Sequence, residues 1–206
     1  MYARSTTVRG DPRKVDDAIA YVRDEVMPAV QRMSGCVGLS MLCDRDAGRC
    51  IVTTAWADDT AMHATAQAIR PMRDRVREVF GGDVEVNEWE IALLHRMREA
   101  PDGACTRVTW VRGDPADADR MTDTFRMALL PRLEDIDGFC SVSVLVNRDN
   151  GMCALAATYT SREAMNGSRE AVAAMRHEFT SQLGMEVLDL AEFDLVLAHL
   201  RVPETV

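Results

Sequence analysis

The pentapeptide VRGDP occurs twice, at Val8–Pro12 and Val111–Pro115, with the second copy beginning 103 residues after the first. A repeat held at a fixed offset restricts a chain to architectures assembled from copies of one unit. Without a gap, the same offset pairs Arg4 with Arg107, Pro28 with Pro131, Gly35 with Gly138, Gly48 with Gly151, Met72-Arg73 with Met175-Arg176 and Gly81 with Gly184. After one inserted residue it pairs Glu88-Trp89-Glu90 with Glu192-Phe193-Asp194, and His95 with His199. Register kept over most of the chain excludes chance. The repeats are assigned to residues 1–97 and 105–206, and residues 98–104, polar with Pro101 and Gly103, form the linker.

Each copy reads β-α-β-β-α-β. The first strand, Tyr2–Arg9 or Cys105–Arg112, is rich in Thr and Val and stops at Gly-Asp-Pro. Asp is an N-cap and Pro suits a first helical turn, so a helix is expected to start there. Val15, Ile19, Val22, Val26 and Val30 recur at spacings of three and four, giving that helix one apolar face. Pro28 and Pro131 fall late in it and are expected to kink or divide it, with Gly35 and Gly138 at its end. Two strands follow, joined by DRDAGR in one copy and by NRDNG, with its Asn-Gly turn, in the other. A second helix is expected over 59–80 and 162–183, interrupted by Pro71 in the first copy only, and then a last strand over 84–95 and 187–200. This order describes a ferredoxin-like unit with both helices on one sheet face. The other face must be covered, which is a reason for duplication or dimerisation. The expected fold is therefore α+β: two tandem ferredoxin-like units forming an intramolecular α+β barrel, packed through their sheets with helices outside. A homo-oligomer is among the expected partners.

Net charge of −9 argues against nucleic acid or an anionic membrane surface as partner. The first residues lack the apolar stretch of a signal peptide, and no apolar run reaches the roughly 20 residues of a membrane span, so a cytoplasmic protein is expected. The six cysteines form no CxxC and none has a His at zinc-finger spacing, so no metal site is expected; they read as buried small hydrophobes. Cys43 and Cys50 flank the hairpin turn and are the one pair placed to form a disulfide.

Alternation along the last strand puts Glu88, Glu90, Ala92 and Leu94 on one face and Trp89, Ile91, Leu93 and His95 on the other, with Glu192 and Asp194 against Phe193 repeating the pattern. The aromatic and aliphatic face suits packing under helices. The carboxylates are then expected at the barrel interior or its rim, within reach of Arg4 and Arg107 on the neighbouring first strands. Two readings stand for this set: a solvated or salt-bridged strand end, or the polar wall of a pocket. Trp56 and Tyr159 occupy equivalent strand ends and read either as core or as a stacking surface for a ligand. His95 and His199 read as surface residues. His63 answers to Asn166, so the copies differ there. A ligand site, where there is one, is expected inside a barrel half, lined by Arg4 or Arg107, Trp56 or Tyr159, and Glu88/Glu90 or Glu192/Asp194. Catalytic residues are not identifiable from spacing, and no cofactor motif is present.

The stretches VMPAV…GCVG, CDRDAGR, TTAWADDTAM, PMRDR and VNEWEIALLHR resemble the antibiotic-biosynthesis-monooxygenase-like superfamily of dimeric α+β barrels, in its tandem-duplicated actinobacterial form. The resemblance covers nearly the whole chain and implies a barrel that binds a small apolar or aromatic ligand. The alternative it implies is a cofactor-independent monooxygenase acting on a small aromatic or polyketide-like substrate, with haem handling as a further class. Haem-degrading members use an Asn, a Trp and a His together. Trp56 resembles that Trp and His63 lies near the His without its spacing, but the first strand, YARSTTVR, lacks the Asn.

Overall fold

Gly-Asp-Pro does at residues 10–12 what its chemistry requires. In the computed structural model, which describes residues 1–200 and the side chains of residues 1–199, β1 (Tyr2–Arg9) ends there. The Asp11 carboxylate accepts from the Arg13 N–H and Pro12 opens a single 3-10 turn before α1 (Val15–Tyr21). Next comes a π-helical turn, Val22–Val26, and then α2 (Met27–Gln31). The Met27 N–H reaches back five residues to the Val22 carbonyl. The expected proline break is thus a widened turn just before Pro28, where the ring would otherwise collide with a carbonyl one turn back. β2 (Cys36–Asp44) and β3 (Arg49–Trp56) form the hairpin, followed by α3 (Asp59–Ala64), α4 (Ala66–Phe80) and β4 (Asp83–Arg96).

The second copy repeats this as β5 (Cys105–Arg112), α5 (Ala118–Thr124), a π-turn at Phe125–Leu129, α6 (Leu130–Glu134), β6 (Phe139–Asn147), β7 (Met152–Tyr159), α7 (Arg162–Gly167), α8 (Arg169–Leu183) and β8 (Glu186–Leu200). Pro71 does not interrupt the second helix, contrary to expectation. It lies inside α4 at the cost of one hydrogen bond, and the break falls at Thr65 and Ser168 in both copies. There the hydroxyl competes for carbonyls of the preceding turn, Thr65 Oγ1 donating to Met62 O and Ser168 Oγ to Met165 O, each near 2.9 Å. Gly35 and Gly138 have φ of 78° and 77°, and a Cβ on either would lie 2.4 or 2.6 Å from the Cβ of Ala61 or Ala164, so no other residue fits these corners.

The strands close into a barrel in the order β1-β3-β2-β8-β5-β7-β6-β4, the α+β architecture of two fused ferredoxin-like copies. The compact units divide the chain differently from the sequence repeats. Among the described residues, one holds Met1–Trp89 with residues 195–200, and the other holds Glu90–Asp194. In the second unit the end of β4 pairs with β6, from Glu90↔Val146 to Arg96↔Ser141, and Leu93 enters the core beneath α5–α8. In the first, Val196 and Leu197 pack against the core under α1–α4. Among the described residues no helix is long and apolar enough to cross a membrane.

The expected faces of β4 need correction. Arg4, Glu88 and the buried row Val8, Val52 and Trp56 lie on the helix side. Trp89 points the other way, its Nε1 donating to Ser5 Oγ at 2.8 Å. A bulge between Ile91 and Leu93 then shifts the parity, so Leu93 and His95 turn to the helix side of the second unit. The extra residue that the second copy carries before Glu192 is absorbed in the same manner: Trp110 pairs with Asp189 and Val111 with Val187, leaving Leu188 as the bulge.

Candidate functional site

Arg4 projects from β1 under the helices and is 3% exposed. Its Nε and Nη2 donate to Glu88 Oε1 at 2.9 and 2.7 Å, and Nη2 donates also to the Met62 carbonyl at the end of α3, at 3.0 Å. Nη1 has no hydrogen-bond partner among the described residues. The second oxygen of Glu88 lies 3.2 Å from His63 Nε2, while His63 Nδ1 lies 2.9 Å from the Asp59 carbonyl. That backbone bond raises the His63 pKa above its ordinary 6.5, slight desolvation opposes it, and the Glu88 and Asp59 carboxylates add to the rise.

The second copy builds the same pair with different neighbours. Arg107, also 3% exposed, donates through Nε and Nη2 to Glu192 Oε1 at 3.0 and 2.8 Å and to the Met165 carbonyl at 2.8 Å. Here Nη1 is used, donating to Ser168 Oγ at 3.2 Å. Glu192 also accepts from Arg169 at 3.0 Å and lies 3.9 Å from Arg162, and no His is present because Asn166 occupies that place. Asp194 accepts from Arg162 and from the Cys105 thiol.

Of the residues singled out from sequence, the fold therefore gathers Arg4 with Glu88 and Arg107 with Glu192. Glu90 goes elsewhere, pairing with Arg148 at 2.6 Å, which also holds Asp119. Trp56 is wholly buried, its Nε1 donating to Thr54 Oγ1 at 3.1 Å. Tyr159 is equally buried, stacked edge-on against Phe139, with the Arg107 guanidinium 5.9 Å from its ring centre. Burial raises its pKa. His95 is not the surface residue expected: its side chain is 16% exposed and Nε2 lies 2.8 Å from Glu134, because the bulge in β4 turns it toward α6.

A cavity lies between sheet and helices in each copy. The one in the second copy measures about 60 Å³ and the one in the first about 30 Å³. Both run under the π-turn, whose extra residue widens the helix there. Arg107 and Arg176 line one, and the equivalent Arg4 and Arg73 line the other. Phe125 and Phe179, an edge-to-face pair with centroids 6.1 Å apart, wall the second-copy cavity, where Val22 and Val76 stand in the first. Trp56 and Tyr159 are not among the walls. Sequence reasoning missed Arg73, Arg176 and the π-turns; the repeated Met-Arg at 72–73 and 175–176 was the available signal.

No family model matches the chain. Rv2557 of Mycobacterium tuberculosis, an uncharacterised protein, is 47% identical over 206 residues, covering 100% of this chain and 92% of that one. Rv2558 of the same organism is 47% identical over 209 residues, covering 100% and 88%. This chain belongs to the Rv2557 family. Solved structures share the fold of this Rv2557-family protein at low identity. A monooxygenase candidate from Fusobacterium nucleatum superposes with a TM-score of 0.71 at 14% identity, covering 97% of this chain and 94% of its own. An anthrone oxidase-like protein gives 0.67 at 15%, covering 97% and 93%. A Listeria monocytogenes ferredoxin-fold protein related to antibiotic biosynthesis monooxygenases gives 0.56 at 7%, covering 95% and 94%. The Rv2557-family barrel therefore has the fold of the antibiotic-biosynthesis-monooxygenase-like proteins.

None of the six cysteines of this family member is in a disulfide in this structure. Cys43 and Cys50 are cross-strand partners, Sγ to Sγ 2.7 Å. Burial pushes the Cys153 thiol up to about 11, leaving it protonated and unreactive near neutral pH. Among the described residues no group of three or more His, Cys, Asp or Glu is arranged to hold a metal.

Proposed function

We propose that this protein binds a small, largely apolar molecule between sheet and helices, with the second copy's cavity as the principal site. The observation that carries this reading is that cavity: about 60 Å³, where a single water needs roughly 10–15 Å³, walled by the Phe125–Phe179 pair and aliphatic side chains with Arg107 and Arg176 as polar groups. An aromatic wall with few polar anchors suits an apolar guest better than water, and a ring, which fills an apolar cavity of about 150 Å³, enters only as these walls part. The Arg107–Glu192 and Arg4–Glu88 pairs set the polar ends of the two sites, Tyr159 backs Arg107 and Trp56 holds the equivalent strand end. Glu90 and Asp194 support the strands from outside. Repeats 1–97 and 105–206 are then two copies of one binding module, in a protein read as cytoplasmic from its composition.

Binding is favoured over catalysis. A cofactor-independent oxygenase must take a proton from its substrate, and no carboxylate or imidazole is among the walls of the second-copy cavity. Titration with phenol and indole, followed by thermal melt and calorimetry, tests the reading. Ala157→Phe fills the cavity from β7; it is expected to abolish binding of any compound that raises the melting temperature of the parent. A folded Ala157→Phe protein that binds as the parent does would place the site elsewhere. Oxygen uptake during turnover of such a ligand would favour the oxygenase.

A further inference from the structure

The two cavities differ in one polar atom, and that difference assigns them different ligands. In the second copy every nitrogen of Arg107 is used, since Nη1 donates to Ser168 Oγ. In the first, Thr65 occupies the place of Ser168 and, like it, donates its hydroxyl to carbonyls of the preceding turn, those of Ala61 and Met62, but it accepts nothing from Arg4, whose Nη1 is left buried without a partner. A guanidinium nitrogen held out of water with unused N–H groups is costly unless something else accepts from it. Arg4 lines the first cavity together with Thr6, Thr54 and Arg73. Arg73 is half-buried and makes no ion pair among the described residues.

The charge count fixes the class of acceptor. Glu88 pairs with Arg4 from outside the cavity walls, and Arg73 adds to those walls a positive charge that no ion pair among the described residues offsets. A single negative charge matches it, whereas a phosphate dianion would leave an excess buried charge. The remaining walls, Val26, Val52, Ile69 and Met72 among them, are aliphatic, and the space, about 30 Å³, is small enough that a guest must be a short chain and must displace flexible walls such as Met72 to enter. We infer that the first-copy cavity is a site for a short-chain monocarboxylate, its head on Arg4 Nη1 and Arg73 and its tail beneath the π-turn Val22–Val26. This rests on reading the sheet–helix cavities as ligand sites.

Butyrate, with butyramide as its neutral control, tests the inference on the full chain carrying ¹³C-labelled Val, Ile and Met methyls. Butyrate is expected to shift Val26, Ile69 and Met72 at a concentration at least tenfold below that needed by butyramide. Arg73→Gln, at a half-exposed position, is expected to weaken butyrate about tenfold and leave butyramide unchanged. Equal response to both compounds, or no butyrate shift at these methyls, overturns the inference without reference to any variant. Shifts of Met175 with phenol are read in the same samples: if they persist while butyrate fails, the proposed function stands and only the assignment of the first cavity falls.

Discussion

The two arginine–carboxylate pairs began as one and now solve the same problem by different means. Around Glu192, three arginines and a serine leave nothing unspent: the carboxylate is 19% exposed and each nitrogen of Arg107 is occupied. Glu88, 38% exposed, takes Arg4 on one oxygen and His63 on the other, and the Nη1 of Arg4 stays idle. Duplication preserves the ion pair that pins the last strand to the first, while the surrounding groups are free to change. The difference teaches that in the second copy every nitrogen of the arginine is spent within the chain, whereas in the first one nitrogen is not.

The strongest way to break this comparison is to remove the arginines. Arg107→Met leaves Glu192, the Met165 carbonyl and Ser168 each short of a donor at a buried position, and is expected to cost about 3 kcal/mol. Arg4→Met strands only Glu88, which reaches water and His63, and the Met62 carbonyl, so about 2 kcal/mol is expected. Urea denaturation of both variants decides it, and an equal or reversed order would mean that the pairs are equivalent.

A smaller change converts one site toward the other. Ser168→Ala frees Arg107 Nη1 at a cost of roughly 1.5–3 kcal/mol, the value of a hydrogen bond to a charged group. The second cavity should then prefer butyrate over butyramide, as the first is inferred to do. If the preference does not appear, the idle nitrogen is not what selects an anion.

The smallest effect is the pH dependence of His63. Its folded pKa is raised above the unfolded value near 6.5, so its contribution to stability is fully present below about 6.5 and is lost as pH rises through the folded pKa. Because the side chain is 56% exposed, solvent screens most of the gain. NMR titration of the ring should show the raised pKa, and His63→Asn, which copies Asn166, should flatten the stability profile between pH 6 and 8. A ring titrating at or below 6.5 would remove His63 from the Glu88 cluster.

The repeat made the fold legible because each copy carries its own punctuation: Asp11 and Asp114 capping the helices, Gly35 and Gly138 at the corners, and Gly81 and Gly184 left-handed at helix ends. The reach of Arg4 and Arg107 toward the strand-end carboxylates was legible too, since both repeat in register. What alternation alone misjudged were the places where backbone count changes. A bulge at Ala92 reverses the faces of the strand beyond it, sending Leu93 and His95 to the helix side, and no side-chain pattern announces it. The cavities were hidden for a similar reason: a π-turn of ordinary Val, Arg, Asp and Glu has the same apolar spacing as an α-helix until the backbone is seen.

The π-turns carry a record of order in time. Val22–Val26 and Phe125–Leu129 stand at equivalent positions, each followed at the same distance by Pro28 or Pro131, although their sequences, VRDEV and FRMAL, have nothing but an arginine in common. A π-turn arises most simply when one residue is added to an established helix. Two separate additions at the same point are far less economical than one, so the residue entered an ancestor that still had a single copy. On that account the widened turn and the space beneath the helix are older than the doubling, and the half-length ancestor already carried both.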